Sequence, residues 1–237
     1  MHDAIFAMVG AMHDLWIFGY GSLMWRPGFP HEEARRARLM GYSRRFCVTS
    51  VHHRGSAQRP GLVLGLDRGG VCDGVAFRVA DSNAAAVLCY LREREQVNGV
   101  YREALLPVET EGDGGEIVRA ITYIVEREHP SYAGHLPLQL QARLIRGGCG
   151  LSGVNLDYVI NTLRHMAELG IRERELERLM VVLGGFFGRA PPRGLVSPRA
   201  EVLRRIAVRQ HMPVCAVKRM RPDARRRFGY RLKVSCG

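Results

Sequence analysis

The sequence predicts an α+β domain in which a small, mainly antiparallel β-barrel or β-sheet packs against helices. Three observations favour this fold class. Strand-like runs dominate the first half of the 237-residue chain, helical periodicity dominates between residues 138 and 187, and one helical pattern is inserted among the strands. Apolar residues make up 46% of the chain, which is enough to form a sizeable core.

The strand predictions rest on short apolar runs that are bounded by turn-forming residues. Six such runs are expected to form strands: 15–20, 40–50, 60–67, 71–79, 101–109 and 116–126. The third and fourth runs flank Arg68-Gly69-Gly70, and this spacing predicts a hairpin that turns at the two glycines. The last two runs flank the glycine-rich stretch Thr110–Gly115 and predict a second hairpin.

Four stretches carry the signals of helices. They are residues 82–96, 138–146, 152–169 and 172–187. Asp81 and Ser82 are candidate N-caps of the first helix, and Asn98-Gly99 follows its end. Gly170 is placed to be the C′ residue of the third. No run approaches 18 consecutive apolar residues, so no membrane-spanning helix and no membrane partner are expected.

The net charge of +12 is concentrated at the C-terminal end of the chain. Residues 193–237 contain 13 Lys and Arg against 2 Asp and Glu, while the rest of the chain is almost neutral. We therefore expect a mobile N-terminal extension over residues 1–14, one domain over 15–192 and a basic tail over 193–237. The tail is interpreted as a solvated appendage or, alternatively, as a phosphate-binding arm, and nucleic acid is expected as a partner only through it.

Cysteine usage and the N-terminus both favour a cytoplasmic protein. None of the six cysteines forms a C-x-x-C pair, so neither a thiolate metal site nor a redox motif is expected, and scattered cysteines suggest reduced thiols. The first 14 residues lack the basic region and cleavage site of a secretory signal. His52 and His53 have no spaced third ligand, so no metal site is expected there.

One glutamate of the first helix stands out by its position. At 100° per residue, Ala84, Leu88 and Leu91 lie on one face, and Glu95 falls on that same face, whereas Glu93 points away. Burial and the negative end of the helix dipole would both raise the pKa of Glu95, which suits a general acid/base. The alternative is a helix-end glutamate that reaches solvent or pairs with an arginine.

The first strand ends in Gly19-Tyr20-Gly21-Ser22, which predicts a sharp turn. Glycine permits positive φ and close approach of a ligand, and successive backbone N–H groups in such a turn can bind a carboxylate or an oxyanion. An ordinary turn is the alternative. Ser22 as a nucleophile is disfavoured, because the G-x-S-x-G elbow is absent.

Several motifs along the chain together resemble those of ChaC-type γ-glutamylcyclotransferases. They are FGYGSLMWRPGFP from Phe18, GYSRRF from Gly41, HRG from His53, YLREREQVNGVY from Tyr90 and GLSGVNLDY from Gly150. The resemblance extends from about Trp16 to Phe187 and leaves out the first 14 residues and the tail.

The resemblance implies a γ-glutamylcyclotransferase-like fold and an enzyme that cleaves glutathione to 5-oxoproline and Cys-Gly without a metal or organic cofactor. It implies that Glu95, in an Arg-Glu pair six residues before Tyr101, is catalytic. The substrate-binding residues expected on this basis are Gly19, Tyr20, Gly21, Ser22, Leu23, Met24, Arg54 and Tyr101. For Arg54 a surface position, and for the two tyrosines core packing, are equally open. Other γ-glutamyl substrates, or a non-catalytic binding module on the same fold, are the alternative functions.

Overall fold

The computed structural model describes residues 15–112 and 115–185, in which five strands close into a barrel. They are β1 (Leu15–Gly19), β2 (Glu33–Ser50), β3 (Gly61–Val79), β4 (Tyr101–Thr110) and β5 (Ile117–Val125). Their order around the barrel is β1-β3-β2-β4-β5. All neighbours are antiparallel except β1 and β5, which run parallel with Trp16 beside Ala120. The predicted fold class is confirmed.

Four helices in the described residues complete the fold. They are α1 (Asp81–Glu95), α2 (Leu138–Gly147), α3 (Asn155–Glu168) and α4 (Arg174–Gly185). A hairpin of β6 (Cys149–Gly150) and β7 (Gly153–Val154) precedes α3, so this helix begins three residues after the predicted start at Ser152. Ala80 is the N-cap of α1, which corrects the predicted caps and leaves Asp81 in the first turn. Gly170 follows α3 with φ +68°, as the C′ prediction requires.

The predicted hairpin at Arg68-Gly69-Gly70 is wrong. The strand β3 runs without interruption from Gly61 to Val79 and pairs along its length with β2. Gly69 and Gly70 have φ of +98° and +84°, and they lie opposite a register shift at Gly41. The glycines therefore form a bulge that bends two long strands around the barrel, a use of positive φ that sequence alone does not distinguish from a turn.

The second strand also starts earlier than predicted, at Glu33 instead of Met40. Its first residues alternate between charged side chains and buried ones such as Ala37 and Leu39. The charged side chains pair across the sheet, as Arg38 does with Asp73 at 2.8 Å. The apolar-run criterion misses such a strand, because only every second residue faces the core.

Most of the buried side chains form one core between the barrel and the helices. The face of α1 that contributes Val87, Leu88 and Leu91 packs into this core, with Ala84 partly buried beside it. The helical face inferred from the sequence is therefore the face that is buried.

The expectation of reduced thiols holds for part of the cysteines. Cys47 and Cys72 are buried free thiols, and Cys89 is free and partly exposed, whereas Cys149 is disulfide-bonded. None of the described helices is both long and apolar enough to cross a membrane. The predicted extension 1–14, the domain end at 192 and the tail 193–237 lie outside the described residues.

Candidate active site

Glu95 occupies the last position of α1 and is only partly exposed, with 20% of its side chain accessible. Burial raises the pKa of its carboxyl group above the ordinary value, although the neighbouring Arg94 guanidinium, 3.1 Å away, opposes this shift. Glu93, two residues earlier, is exposed. The two glutamates thus differ in solvent exposure, as the helical periodicity predicts.

Glu95 lies near enough to four buried or partly buried tyrosines for its charge to act on them. We call them the tyrosine cluster: Tyr20, Tyr101, Tyr123 and Tyr158. Burial raises the pKa of each phenol, and the negative charge of Glu95 adds to the increase; for Tyr158 the pKa reaches about 12. All four hydroxyl groups therefore remain protonated at neutral pH. A carboxylate amid neutral phenols can accept a proton from a ligand without competition from a stronger base.

Part of the cluster is fixed by the open edge of β3. Residues 61–66 pair with β2 on one side and have no strand on the other within the described residues. Tyr101 donates a hydrogen bond from its hydroxyl to Leu64 O at 2.7 Å, and Leu64 N lies 3.5 Å from the hydroxyl of Tyr158. Two residues earlier in β3, Leu62 N donates a hydrogen bond to Asn155 Oδ1 at 2.6 Å, and Asn155 Nδ2 donates one to Leu62 O at 2.9 Å. Side chains from β4 and α3 thus replace the missing strand.

Tyr123 is held by a buried ion pair behind the cluster. Its hydroxyl donates to Glu103 at 3.3 Å, and Glu103 accepts two hydrogen bonds from Arg92 at 2.8 and 2.9 Å. Glu103 is buried, so the bidentate arginine compensates for the loss of its hydration. The strand β5 and the helix α1 are joined through this contact.

The turn that follows β1 lies beside Glu95. Tyr20 leads to Gly21, and Ser22–Met24 form one turn of 3-10 helix, closed by a hydrogen bond from Met24 N to Gly21 O at 3.0 Å. The N–H groups of Ser22 and Leu23 precede this first intrahelical bond, which leaves them available to an anion. Leu23 and Met24 have buried side chains in the core, so only their backbone can face a ligand.

The predicted positive φ in this turn is wrong. Gly21 has φ −126°, and a Cβ atom added there would meet nothing within 4 Å. At Gly19, by contrast, a Cβ would lie 3.0 Å from that of Leu23. Gly19 is therefore needed for packing inside the turn, whereas Gly21 borders open space.

Two arginines from distant parts of the chain hold the turn. The guanidinium of Arg44 is fully buried and donates to Tyr20 O and Asp73 O, with Glu173, the residue before α4, as its counter-ion at 3.1 Å. Arg94 of α1 donates to Ser22 Oγ at 2.9 Å and to Arg26 O at 2.8 Å. A local sequence pattern does not reveal these roles, because each contact joins residues at least 20 positions apart.

Arg54 lies at the far side of the tyrosine cluster and is not a free surface arginine. Its guanidinium donates to Ser152 O at 2.6 Å and stacks 5.3 Å above the ring of Tyr158. Its backbone is packed so closely that a Cβ on Gly61 would lie 2.1 Å from Arg54 O. Burial lowers the pKa of Arg54, yet an arginine remains charged, so it can present a cation next to Tyr158.

The structure therefore brings Glu95, the Gly19–Met24 turn and Tyr101 together, with Arg54 reached through Tyr158. It adds Tyr123 and Tyr158, which come from β5 and α3. Among the described residues, no group of three or more His, Cys, Asp and Glu is arranged to hold a metal ion.

Comparison with known families decides the identity of this fold. A sequence model of the family described as "ChaC-like protein" matches residues 15–184, which is most of the chain. The chain belongs to the ChaC-like protein family. The match begins at β1 and ends within α4, so it includes every residue of the candidate site described above.

Relatives of this ChaC-like chain occur in bacteria, animals and plants. It is 33% identical to a glutathione-specific γ-glutamylcyclotransferase of Escherichia coli over 78% of this chain and 79% of the relative. It is 37% identical to human glutathione-specific γ-glutamylcyclotransferase 1, over 66% and 71% of the two chains. An Arabidopsis thaliana γ-glutamylcyclotransferase 2-3 is 31% identical over 70% and 86%.

A solved structure supports the fold independently. The crystal structure of a γ-glutamylcyclotransferase specific to glutathione from yeast superposes with a TM-score of 0.66 at 21% identity. The superposition covers 74% of this chain and 97% of the yeast chain. The closed barrel with helices on one side is therefore the fold of that yeast protein as well.

Proposed function

We propose that this protein is a γ-glutamylcyclotransferase that cleaves glutathione to 5-oxoproline and Cys-Gly. The observation that carries the proposal is the Glu95 carboxylate, which is partly buried beside the Gly19–Met24 turn and lies near the tyrosine cluster. The names of the relatives support glutathione as the substrate. The protein is then a lyase with a small-molecule substrate, and a cytoplasmic location is part of the proposal.

The reaction is an intramolecular acyl transfer. The α-amine of the γ-glutamyl residue attacks the γ-amide carbonyl, a five-membered lactam forms, and the C–N bond to the cysteine nitrogen breaks. Because the nucleophile is tethered to the electrophile, the main task is to fold the substrate into a reactive conformation. No organic cofactor or metal ion is required by this proton and acyl transfer.

Glu95 moves the proton. As a carboxylate it accepts a proton from the α-ammonium group, which releases the lone pair for attack. As a carboxylic acid it then returns this proton to the departing nitrogen of Cys-Gly. After ring closure the attacking nitrogen still carries one proton too many, and Glu95 transfers this second proton to the released amine in the same way. The lactam is then neutral, Cys-Gly leaves as an ammonium, and the enzyme ends in its starting state. A pKa raised by burial suits both steps, because the group must gain and lose a proton in each cycle.

The turn and its neighbours hold the glutamyl group. We infer that the backbone N–H groups of Gly21, Ser22 and Leu23 bind the α-carboxylate or the developing oxyanion, with Gly19 and Met24 shaping the turn. Tyr20 and Tyr101 line the space next to Glu95. Arg54, beside Tyr158, is placed to attract a carboxylate at the other end of the substrate.

The test combines a substrate panel with a pair of glutamate variants. Purified protein is incubated with glutathione, γ-glutamyl-alanine or γ-glutamyl-lysine, and 5-oxoproline is measured. We expect turnover of glutathione, and Glu95→Gln should lower kcat by about 10²–10⁴-fold because the amide cannot accept a proton. Glu93→Gln, an exposed change on the same helix turn, should leave kcat unchanged.

Each outcome separates the alternatives. Turnover of the other two compounds but not of glutathione would assign a different γ-glutamyl substrate to the same site. Absence of 5-oxoproline from all three would favour a non-catalytic binding module. A folded Glu95→Gln protein with wild-type kcat would overturn the role of Glu95.

A further inference from the structure

We propose that Arg94 is a positioning residue that locks the substrate-binding turn to the general acid/base. This inference deepens the proposed function and rests on it. Arg94 and Glu95 are consecutive residues at the end of α1, and a single guanidinium contacts both parts of the site.

The contacts of Arg94 use both terminal nitrogens and Nε. Nη2 donates to Ser22 Oγ at 2.9 Å, and Nη1 donates to Arg26 O at 2.8 Å and to Pro27 O at 3.0 Å. Nε lies 3.1 Å from Glu95 Oε1. The planar fork of the guanidinium can satisfy these partners together, whereas the single ammonium of lysine cannot. The position of the turn and the orientation of Glu95 are therefore set by the same group.

A further contact fixes the guanidinium itself. The hydroxyl of Tyr90, one helical turn earlier, lies 3.0 Å from Arg94 Nη1. Only 21% of the Arg94 side chain is exposed, so its contacts are not those of a solvated surface arginine. Partly buried, charge-assisted hydrogen bonds of this type are stronger than exposed ion pairs.

The charge of Arg94 also acts on Glu95. The charge of Glu95 raises the pKa of four tyrosines from the turn, β4, β5 and α3, and all four are neutral at physiological pH: Tyr20, Tyr101, Tyr123 and Tyr158. Burial raises the pKa of Glu95, and the Arg94 cation lowers it. Without this cation the pKa would rise further, and a larger fraction of Glu95 would be protonated and unable to act as a base.

The experiment compares Arg94→Met and Arg94→Lys in the full chain. Arg94→Met removes the positive charge and the planar hydrogen-bonding group, so we expect KM to rise about tenfold or more through loss of the turn contacts. The acidic limb of the kcat/KM profile should also move to higher pH. Arg94→Lys keeps the charge, so its acidic limb should stay near that of the wild type while KM remains raised. Arg102→Met and Arg102→Lys, at an exposed ion pair with Glu126, are matched controls expected to change neither quantity.

A binding measurement keeps this inference separate from the proposed function. Calorimetric titration of glutathione into Glu95→Gln and into Glu95→Gln/Arg94→Met measures the binding affinity in the absence of turnover. The double variant should bind glutathione about tenfold more weakly or worse, because it lacks the Arg94 contacts to the turn. Equal binding, or an acidic limb of Arg94→Met that matches the wild type, would overturn the inference. So would full rescue of KM by lysine. If Glu95→Gln itself kept the wild-type kcat, the proposed role of Glu95 would fail instead, and absence of 5-oxoproline from the wild-type reaction would overturn the proposed function, whatever the Arg94 variants do.

Discussion

At the scale of single residues, the pKa of Glu95 governs how activity depends on pH. A base must be ionised, so kcat/KM should fall as pH decreases through the pKa of Glu95 in the free enzyme. Burial raises this pKa above the ordinary 4.5 of a glutamate, so the acidic limb should lie above pH 4.5. The measurement is kcat/KM against pH for 5-oxoproline release. An acidic limb at or below the ordinary value would argue that Glu95 is solvated in the free enzyme.

Gly21 provides a second prediction at this scale. Since its φ is negative and a Cβ would meet open space, Gly21→Val should fold with an unchanged melting temperature. The new side chain would occupy the space where the glutamyl group is proposed to lie, and kcat/KM should fall by about 100-fold, the cost of displacing reacting atoms by an ångström.

The control for this change is Gly147→Val, because Gly147 also borders open space but lies at the end of α2, outside the proposed site. Full activity of Gly21→Val would mean that the substrate does not approach the turn at this residue. Calorimetry on both variants checks that neither change acts through stability.

The environment of a single residue is predictable from the sequence where its cause is local, and it is not predictable where distant contacts set it. The burial of Glu95 and the exposure of Glu93 follow from 3.6-residue periodicity within one helix, so the sequence predicts them. The φ of Gly21 depends on how Arg44 and Arg94 hold the turn, and those contacts come from distant parts of the chain.

At the scale of secondary-structure elements, the packing of α3 on the open edge of β3 makes a testable contribution to stability. Asn155 is fully buried and replaces a neighbouring strand for Leu62. Asn155→Ala would leave two buried backbone groups without partners, and each such group costs roughly 1–3 kcal/mol. Chemical denaturation should therefore show a free energy of unfolding that is lower by the cost of both groups, roughly 2–6 kcal/mol.

The matched control is Asn161→Ala, an exposed position on the same helix. Because Tyr158 lies one turn beyond Asn155 and is near Leu64 on the same edge, the Asn155 variant should also lower kcat/KM while it is still folded. Equal stability of the two variants would show that water replaces the amide and that the edge is not sealed by Asn155.

The elements themselves were predicted best where apolar periodicity is undisturbed, as in α1 and β5. The bulge at Gly69-Gly70 was interpreted as a turn, because paired glycines permit positive φ in either case and only the pairing with β2 decides between them. The charged start of β2 was missed because its ion pairs form across strands, between residues such as Arg38 and Asp73. A local sequence pattern does not show which residues pair across neighbouring strands.

At the scale of the whole molecule, closure of the barrel assembles the site. The tyrosine cluster comes from the turn after β1 and from β4, β5 and α3. Its members meet near Glu95 because β5 pairs with β1 and α3 packs on β3. Tyr101 entered the predicted site only through family resemblance, and Tyr123 did not enter it at all. Composition and periodicity cannot place residues that are 22 to 138 positions apart next to one another.

The basic tail, residues 193–237, gives a prediction for the entire chain. The candidate site is formed by residues between 15 and 185, so truncation after Pro192 should leave kcat and KM for glutathione unchanged when both proteins are assayed under reducing conditions, in which Cys149 is a thiol in each. The tail carries 13 Lys and Arg against 2 Asp and Glu, so any retention on nucleic acid should depend on it and weaken steeply as salt is raised. Turnover of a small substrate by local contacts should respond to salt far less.

The experiment compares the full chain with residues 1–192 over a salt series, for both turnover and retention on immobilised DNA. If the truncated protein keeps its activity and loses retention, the tail is a separate electrostatic appendage. If neither protein is retained even at low salt, the tail is solvated and has no nucleic-acid role. Loss of turnover in a truncated protein that still melts cooperatively would instead mean that the tail contributes to the active site, and the domain boundary at Pro192 would be wrong.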